Sequence, residues 1–164
     1  MSGGAEHPQQ SPAPAPAPAS LAAALGNEHY RGHGFAWIFL LLMGALNLFR
    51  GATHLFRPDG GAASIAGIDL SQNGAVILSL FATMGLGQLL MAGIDFATAL
   101  RFRRLVPLVT GYHLLHQIGV AIILWWWRPL PVEAPGKFGA VLLLPVVLLA
   151  FFAATRNRPA RGMQ

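Results

Sequence analysis

Four segments of this chain are apolar over lengths that can cross a lipid bilayer. The hydrocarbon core is about 30 Å thick, and a helix needs about 20 apolar residues to cross it. The sequence predicts such helices over residues 35–56, 74–98, 105–127 and 138–154. Hydrophobic residues make up 54% of the chain and charged residues 10%, whereas about 25% charged is typical of soluble domains. We therefore predict an all-α fold, an integral membrane four-helix bundle.

A buried soluble bundle is the alternative, because short spans that contain Asn, Gln and His could also pack in water. A soluble helix shows a polar face over about half its girth, and residues 141–152 show none. The fourth span is the shortest and contains Pro145. Proline lacks a backbone donor, so the carbonyl that it frees must find another partner or be tolerated in a kink.

The segment before the first span has a different composition, with residues 11–20 reading SPAPAPAPAS. Such a stretch has nothing to bury, so residues 1–33 are predicted to be a disordered, Pro/Ala-rich N-terminal tail. No basic region precedes an apolar core there, which argues against a cleaved signal peptide. The predicted membrane domain is residues 34–156, followed by a short cytoplasmic tail, residues 157–164.

The basic residues predict the orientation of the bundle. Seven belong on the side of the two termini: Arg31, Arg101, Arg103, Arg104, Arg156, Arg158 and Arg161. The opposite side holds at most four: Arg50, Arg57, Arg128 and Lys137. Because cytoplasmic loops carry the excess of Lys and Arg, both termini are predicted to be cytoplasmic.

Polar side chains inside the predicted spans are costly in lipid and are expected to face the bundle interior. At 100° per residue, those of the first three spans fall on one stripe of each helix. At about 1.5 Å per residue from each span's centre, most lie within about 5 Å of the bilayer midplane. We predict one intramembrane polar site, with candidate residues Asn47, Arg50, His54, Gln88, His113, His116 and Gln117.

Two charged residues fall outside this layer. Arg50 lies about 7 Å toward the outer surface and Asp95 about 13 Å toward the cytoplasmic one, so we do not expect them to pair. Arg50 is expected to reach the acidic residues of the outer loops: Asp59, Asp69 and Glu133. Asp95 is expected to pair with an arginine that follows the second span: Arg101, Arg103 or Arg104.

Three interpretations of the polar site stay open. Its residues could form hydrogen bonds that hold the helices together, with Gly44 and Gly51 allowing the helices to approach closely. His113 and His116 could form a small-molecule or proton site, because histidine titrates near neutral pH. Haem or metal binding is the third, but His54 lies about 13 Å from His116 along the membrane normal, and no carboxylate is expected at the depth of the other two histidines. We predict no catalytic residue, metal ligand or cofactor.

Motifs of the common enzyme classes are absent from the sequence, which has no G-x-S-x-G, phosphate loop or H-E-x-x-H. There is no cysteine, which excludes disulfides and thiol chemistry. The net charge of +5 comes from arginines at predicted helix ends and does not indicate nucleic-acid binding.

We expect a non-catalytic accessory or structural membrane component. The alternatives are a small-solute or proton-coupled transport module and a membrane redox protein that binds haem or quinone. Expected partners are the lipid bilayer and a membrane protein or second copy of the chain.

One stretch of the sequence resembles a known family. The first span ends with NLFRGATHLF at residues 47–56, and RPDGG at 57–61 and GIDL at 67–70 follow. On these features the chain resembles the small four-helix inner-membrane proteins of bacteria, loosely of the DoxX-like kind, over residues 35–155. The resemblance implies the four-helix fold and a bacterial cytoplasmic (inner) membrane. It implies no particular activity.

Overall fold

The computed structural model describes residues 20–27 and 30–156, and every regular element in them is helical. A short helix, α1, covers Leu21–Ala24. Helix α2 covers Gly34–Phe56, and α3, the longest helix, covers Gly74–Leu100. The C-terminal tail and most of the predicted N-terminal tail lie outside the described residues.

The second half of the chain forms three more helices. A 3-10 turn at Arg103–Leu105 leads into α4, Val106–Ile122, which continues as a π-helical turn at Ile123–Trp127. Helices α5, Pro135–Leu142, and α6, Leu144–Thr155, follow. All three begin with proline in the first turn; for α4 and α5 the missing N–H has no intrahelical acceptor to lose.

Within the described residues, four helical segments are long and apolar enough to cross a membrane: Gly34–Phe56, Gly74–Leu100, Arg103–Trp127 and Pro135–Thr155. Their number agrees with the four helices predicted from the sequence. Regular helix in the fourth segment is interrupted at Leu143, two residues before Pro145. The break divides that span between α5 and α6.

Large apolar side chains cover the outside of the bundle. Leu42 is 66% exposed, Phe49 70% and Leu115 73%, although all three lie in the middle of apolar helices. A soluble protein rarely exposes such continuous apolar surface, whereas lipid is as apolar as leucine. This surface indicates an integral membrane protein and argues against the soluble alternative.

The apolar core lies at the end of the bundle where α2 begins and α6 ends. Its buried members come from α2, α3, α4 and α6 and include Phe39, Leu40, Val106 and Val147. The chain ahead of α2 also docks here, because the His33 amide donates to the Ala153 carbonyl at 2.8 Å. The N-terminal and C-terminal ends of the described chain therefore lie at the same end of the bundle.

Helices α2 and α3 make the most extensive contact in the bundle, and two glycines lie at its centre. A Cβ at Gly51 would lie 2.8 Å from the Gly85 carbonyl oxygen, and one at Gly85 would lie 2.9 Å from the Gly51 carbonyl oxygen. Only hydrogen fits at either position, so the two backbones approach until they touch. This contact fixes which residues of α2 and α3 face each other.

Candidate functional site

A carboxylate is enclosed between three helices. Asp95 of α3 has no exposed surface, and its Oδ1 lies 2.7 Å from His113 Nε2 of α4. Its Oδ2 accepts a hydrogen bond from Asn47 Nδ2 of α2 at 3.0 Å. We call Asn47, Asp95 and His113 the buried cluster, in which Asp95 and His113 are buried and Asn47 is half-buried. It ties together three of the four spans.

The surroundings of the buried cluster are apolar and close-packed. Gly44 lets α2 approach, since a Cβ at that position would lie 3.1 Å from Asp95 Cβ. The rings of Phe39 and Tyr112 meet the His113 imidazole edge-on, with centroids 6.3 and 5.8 Å away. His113 keeps 5% of its surface exposed. In such low-dielectric surroundings an ionisable pair interacts far more strongly than in water.

The hydrogen bonds restrict where protons sit in the buried cluster. Asn47 presents its amide N–H to Asp95 Oδ2, so this oxygen is an acceptor. A proton shared by the acid and the histidine therefore lies between Oδ1 and Nε2. With one shared proton and a second on the imidazole Nδ1, the pair is an imidazolium beside a carboxylate and has no net charge. Loss or gain of a proton leaves a net charge inside the bundle.

The predicted position of Asp95 is wrong. It does not pair with Arg101, Arg103 or Arg104: Arg103 Nε donates to the Ala99 carbonyl and its guanidinium lies over Trp37, while Arg104 donates to the Ala24 carbonyl. A depth counted from the middle of each span places Asp95 near the surface only if the middles of the spans lie at the same level in the membrane. Instead, the Gly51–Gly85 contact shifts α3 along α2, which brings Asp95 level with Asn47 although it lies about 12 Å from the middle of its own helix.

The remaining central candidates do not join the buried cluster. His116 is exposed on the bundle surface and stacks on Tyr112, with centroids 6.0 Å apart. Gln88 is partly buried, and its Oε1 has no hydrogen-bond partner among the described residues. Arg50 is partly buried against α5, with Nη2 3.6 Å from the position that a Cβ of Gly136 would take.

Two candidates hold the bundle's connections in place. His54 Nδ1 lies 2.7 Å from the Gly60 carbonyl oxygen and its ring packs edge-on against Phe81, so it secures the first outer loop. Gln117 Nε2 donates to the carbonyls of Gly139 and Ala140, both at 3.0 Å. These carbonyls belong to the last turn before the break in the fourth span, where helical hydrogen bonding is interrupted.

The acidic residues of the outer loops have local partners. Asp59 accepts hydrogen bonds from the hydroxyl and amide of Ser64 and from the Gly61 amide, which hold the pKa of Asp59 well below its usual 3.8. The Ser71 amide and hydroxyl likewise lower the pKa of Asp69. Glu133 pairs with Lys137 at 2.9 Å.

The predicted pairing of these loop acids with Arg50 is wrong. Asp59 makes its ion pair with Arg57 instead, at 3.3 Å. Among the residues that the structure describes, no ion pair includes Arg50. Each acid pairs with donors that are close to it in the sequence. Pairing with Arg50 would cost more conformational entropy, because a long and distant side chain would have to be ordered.

The cluster has two residues that could ligate a metal ion, Asp95 and His113. In the described part of the chain no group of three His, Asp or Glu side chains converges. The arrangement is therefore better suited to holding a proton between an acid and a base than to enclosing a metal ion, which usually takes at least three protein ligands.

No protein-family model matches the chain, and neither do curated proteins or solved structures. The DoxX-like resemblance therefore stays a prediction, and the function has to be inferred from the buried cluster.

Proposed function

We propose that the chain is a proton-coupled membrane transport module in which the Asp95–His113 pair binds and releases the proton. The observation that carries the proposal is a fully buried carboxylate 2.7 Å from an imidazole in a bundle of membrane-spanning helices. Ionisable residues inside membrane spans are expensive, and they are characteristic of proton relays and ion pathways. Packing alone does not require an acid and a base at this position.

The pair brings an acid and a base within hydrogen-bond distance, and these are the components of a proton-transfer site. Histidine acts as a proton shuttle in many proteins. Because a proton added to or removed from the pair changes its net charge, movement of a charged solute nearby would be coupled to protonation. Tyr112 of α4 is a titratable neighbour of the pair, with its ring centroid 5.8 Å from that of His113, and His116 stacks on Tyr112 with ring centroids 6.0 Å apart.

Infrared difference spectroscopy of the reconstituted protein would test proton binding directly. We expect a carboxylic-acid C=O band that appears as the pH is lowered and is missing in Asp95→Asn. Asp69→Asn is the matched control, since it makes the same chemical change in an outer loop and should keep the band. Failure of Asp95→Asn to remove any pH-dependent band would contradict the proposal.

Flux measurements would test transport. In liposomes with an imposed potassium diffusion potential and a pH-sensitive dye inside, wild type and Asp69→Asn should acidify or alkalinise the lumen faster than empty liposomes do. Asp95→Asn and His113→Gln should reduce the rate to that of empty liposomes. Flux that is unchanged in both variants would exclude the pair as the proton carrier.

The second candidate is a non-catalytic accessory or structural membrane component, and the connectivity of the buried cluster favours it. One carboxylate joins α2, α3 and α4, as an interhelical lock would. Polar contacts of this kind contribute about 0.6–2 kcal/mol each in membrane proteins. If this is the role, Asp95→Leu with His113→Leu should preserve the protein's function and fold, and wild-type liposomes should show no flux.

We further propose that the helix ends near Gly34 and Thr155 face the cytoplasm. Five arginines lie at this end in the described residues: Arg31, Arg101, Arg103, Arg104 and Arg156. At the opposite end three basic residues are matched by three acidic ones: Arg57, Arg128 and Lys137 with Asp59, Asp69 and Glu133. An excess of arginine is typical of the cytoplasmic side. The proposed location in a bacterial cytoplasmic (inner) membrane rests on the DoxX-like resemblance.

A further inference from the structure

A groove of about 350 Å³ opens at the arginine-rich end of the bundle. It lies between the chain ahead of α2, the beginning of α4 and the end of α6. Its walls are Tyr30, Arg31, Gly32, Arg104, Pro107, Ala154 and Thr155. Neither Asp95 nor His113 lines this groove.

Two arginines give the groove its charge. Arg31 and Arg104 are both exposed, and neither forms an ion pair in the described part of the chain. Arg104 Nη1 donates to the Ala24 carbonyl at 2.9 Å, which fixes one side of its guanidinium and leaves other donors available. Among the described carboxylates, Asp59, Asp69 and Glu133 belong to the opposite end of the bundle, and Asp95 is buried. The two guanidinium groups on its walls make the groove attractive to an anion.

The groove also lies where a membrane surface is expected. It is formed by the ends of membrane-spanning segments. Nearby, the Arg103 guanidinium lies over the Trp37 ring, 4.1 Å from the ring centroid. Tryptophan and arginine side chains typically mark the level of the lipid headgroups. Apolar walls continue along the helices, since Pro107 and Ala154 line the groove and Leu108, next along α4, is 70% exposed.

We propose that this groove binds the headgroup of an anionic phospholipid. Arg31 and Arg104 would donate to the phosphate oxygens, because guanidinium groups form strong charge-assisted hydrogen bonds with phosphate. The acyl chains would lie along the apolar surface beside Pro107 and Leu108. Basic pockets between helix ends on the cytoplasmic side are suited to such headgroups. A free phosphate could use the same donors but would leave the apolar surface uncovered.

Native mass spectrometry of the full chain in a neutral detergent would test the site. The protein would be titrated with phosphatidylglycerol and, separately, with phosphatidylcholine. We expect wild type to retain the anionic lipid preferentially. Arg31→Gln with Arg104→Gln should weaken its binding about tenfold or more, since hydrogen bonds between charged groups are lost. Lysine at both positions should restore part of the affinity.

The matched control is Arg101→Gln with Arg156→Gln, which removes the same charge from the same end of the bundle without changing a wall of the groove. It should weaken binding less than about threefold, because exposed charges are screened by salt. Equal losses in the two double variants would show general attraction between charges and overturn the site. Displacement of the lipid by inorganic phosphate at comparable concentration would also overturn it, by showing that the groove selects the anion alone. The result is independent of the proton-transport proposal, because neither Arg31 nor Arg104 contacts Asp95 or His113.

Discussion

The interior of the bundle depends on Asp95 more than on any other single polar residue. Burying an isolated carboxylate costs several kcal/mol, and a partner offsets this cost only when the geometry is good and the remaining lone pairs are satisfied. Both oxygens of Asp95 have a partner, one from α2 and one from α4. Removing one partner should therefore be more damaging than removing the acid and the base together.

This non-additivity is a prediction for unfolding experiments. His113→Leu leaves the acid buried without its base and should lower the free energy of unfolding by about 3–5 kcal/mol. Asp95→Leu with His113→Leu should cost less than the single His113→Leu change. The measurement is reversible unfolding of the purified protein in mixed micelles. Additive losses for the two residues would show that they do not act as a pair.

A second prediction at the residue scale concerns Asp59 and the dependence of the stability of the first outer loop on pH. Its pKa in the folded protein is lowered, chiefly by the Ser64 hydroxyl and amide. Its contribution to loop stability is therefore complete above the unfolded pKa of 3.8 and is lost as the pH falls from there toward the folded pKa. Hydrogen exchange of the Gly61 and Ser64 amides, corrected for the intrinsic rate, should show protection that is constant near neutral pH and falls below about pH 4.

Asp59→Asn supplies the control for that experiment. An amide side chain does not titrate in this range, so protection in the variant should be low and independent of pH. A decline of the same size in wild type and variant would mean that another group controls the loop.

At the scale of helices, the glycine contact between α2 and α3 decides the register of the bundle. Gly51 and Gly85 bring two backbones together, and Gly44 lies against Asp95 further along the same crossing. This register makes the pairing of Asn47 with Asp95 possible. A side chain at the contact would separate the helices and weaken the buried cluster as well as the packing.

Alanine substitutions in α3 test this role with a matched pair. A Cβ at Gly85 would lie 2.9 Å from both the Gly51 carbonyl oxygen and His54 Cβ, so Gly85→Ala should destabilise the protein by about 1–3 kcal/mol. A Cβ at Gly87 would meet nothing within 4 Å. Gly87→Ala should be neutral or stabilise by up to about 1 kcal/mol, because alanine is the better helix former. The measurement is the free energy of unfolding of each variant. A loss of equal size in Gly85→Ala and Gly87→Ala would contradict the role of the Gly51–Gly85 contact.

The whole molecule separates its charges along the membrane normal, and this separation predicts topology. Because the sequence has no cysteine, single cysteines can be introduced and labelled one at a time. In sealed cells an impermeant maleimide should label Ser64→Cys and Arg128→Cys. Ser20→Cys and Arg101→Cys should react only after the membrane is permeabilised. Labelling of positions 20 and 64 from the same side would contradict four membrane crossings with this orientation.

The membrane spans could be predicted closely because their cause is local. Each depends on a run of apolar residues that is long enough for the bilayer. The polar site was predicted only in part. In the structure Asn47 and His113 both contact Asp95, which the sequence places near the surface, whereas His54 and Gln117 contact the connections between helices.

The sequence by itself determined that lipid surrounds the helices, how many spans there are and how charge is separated between the two ends of the bundle. These properties depend only on the hydropathy and the arginine content of neighbouring residues. Only the tertiary structure decided which polar groups meet. That outcome depends on how far one helix slides along another, and the slide is set by a backbone contact at Gly51 and Gly85, more than thirty residues apart in the sequence.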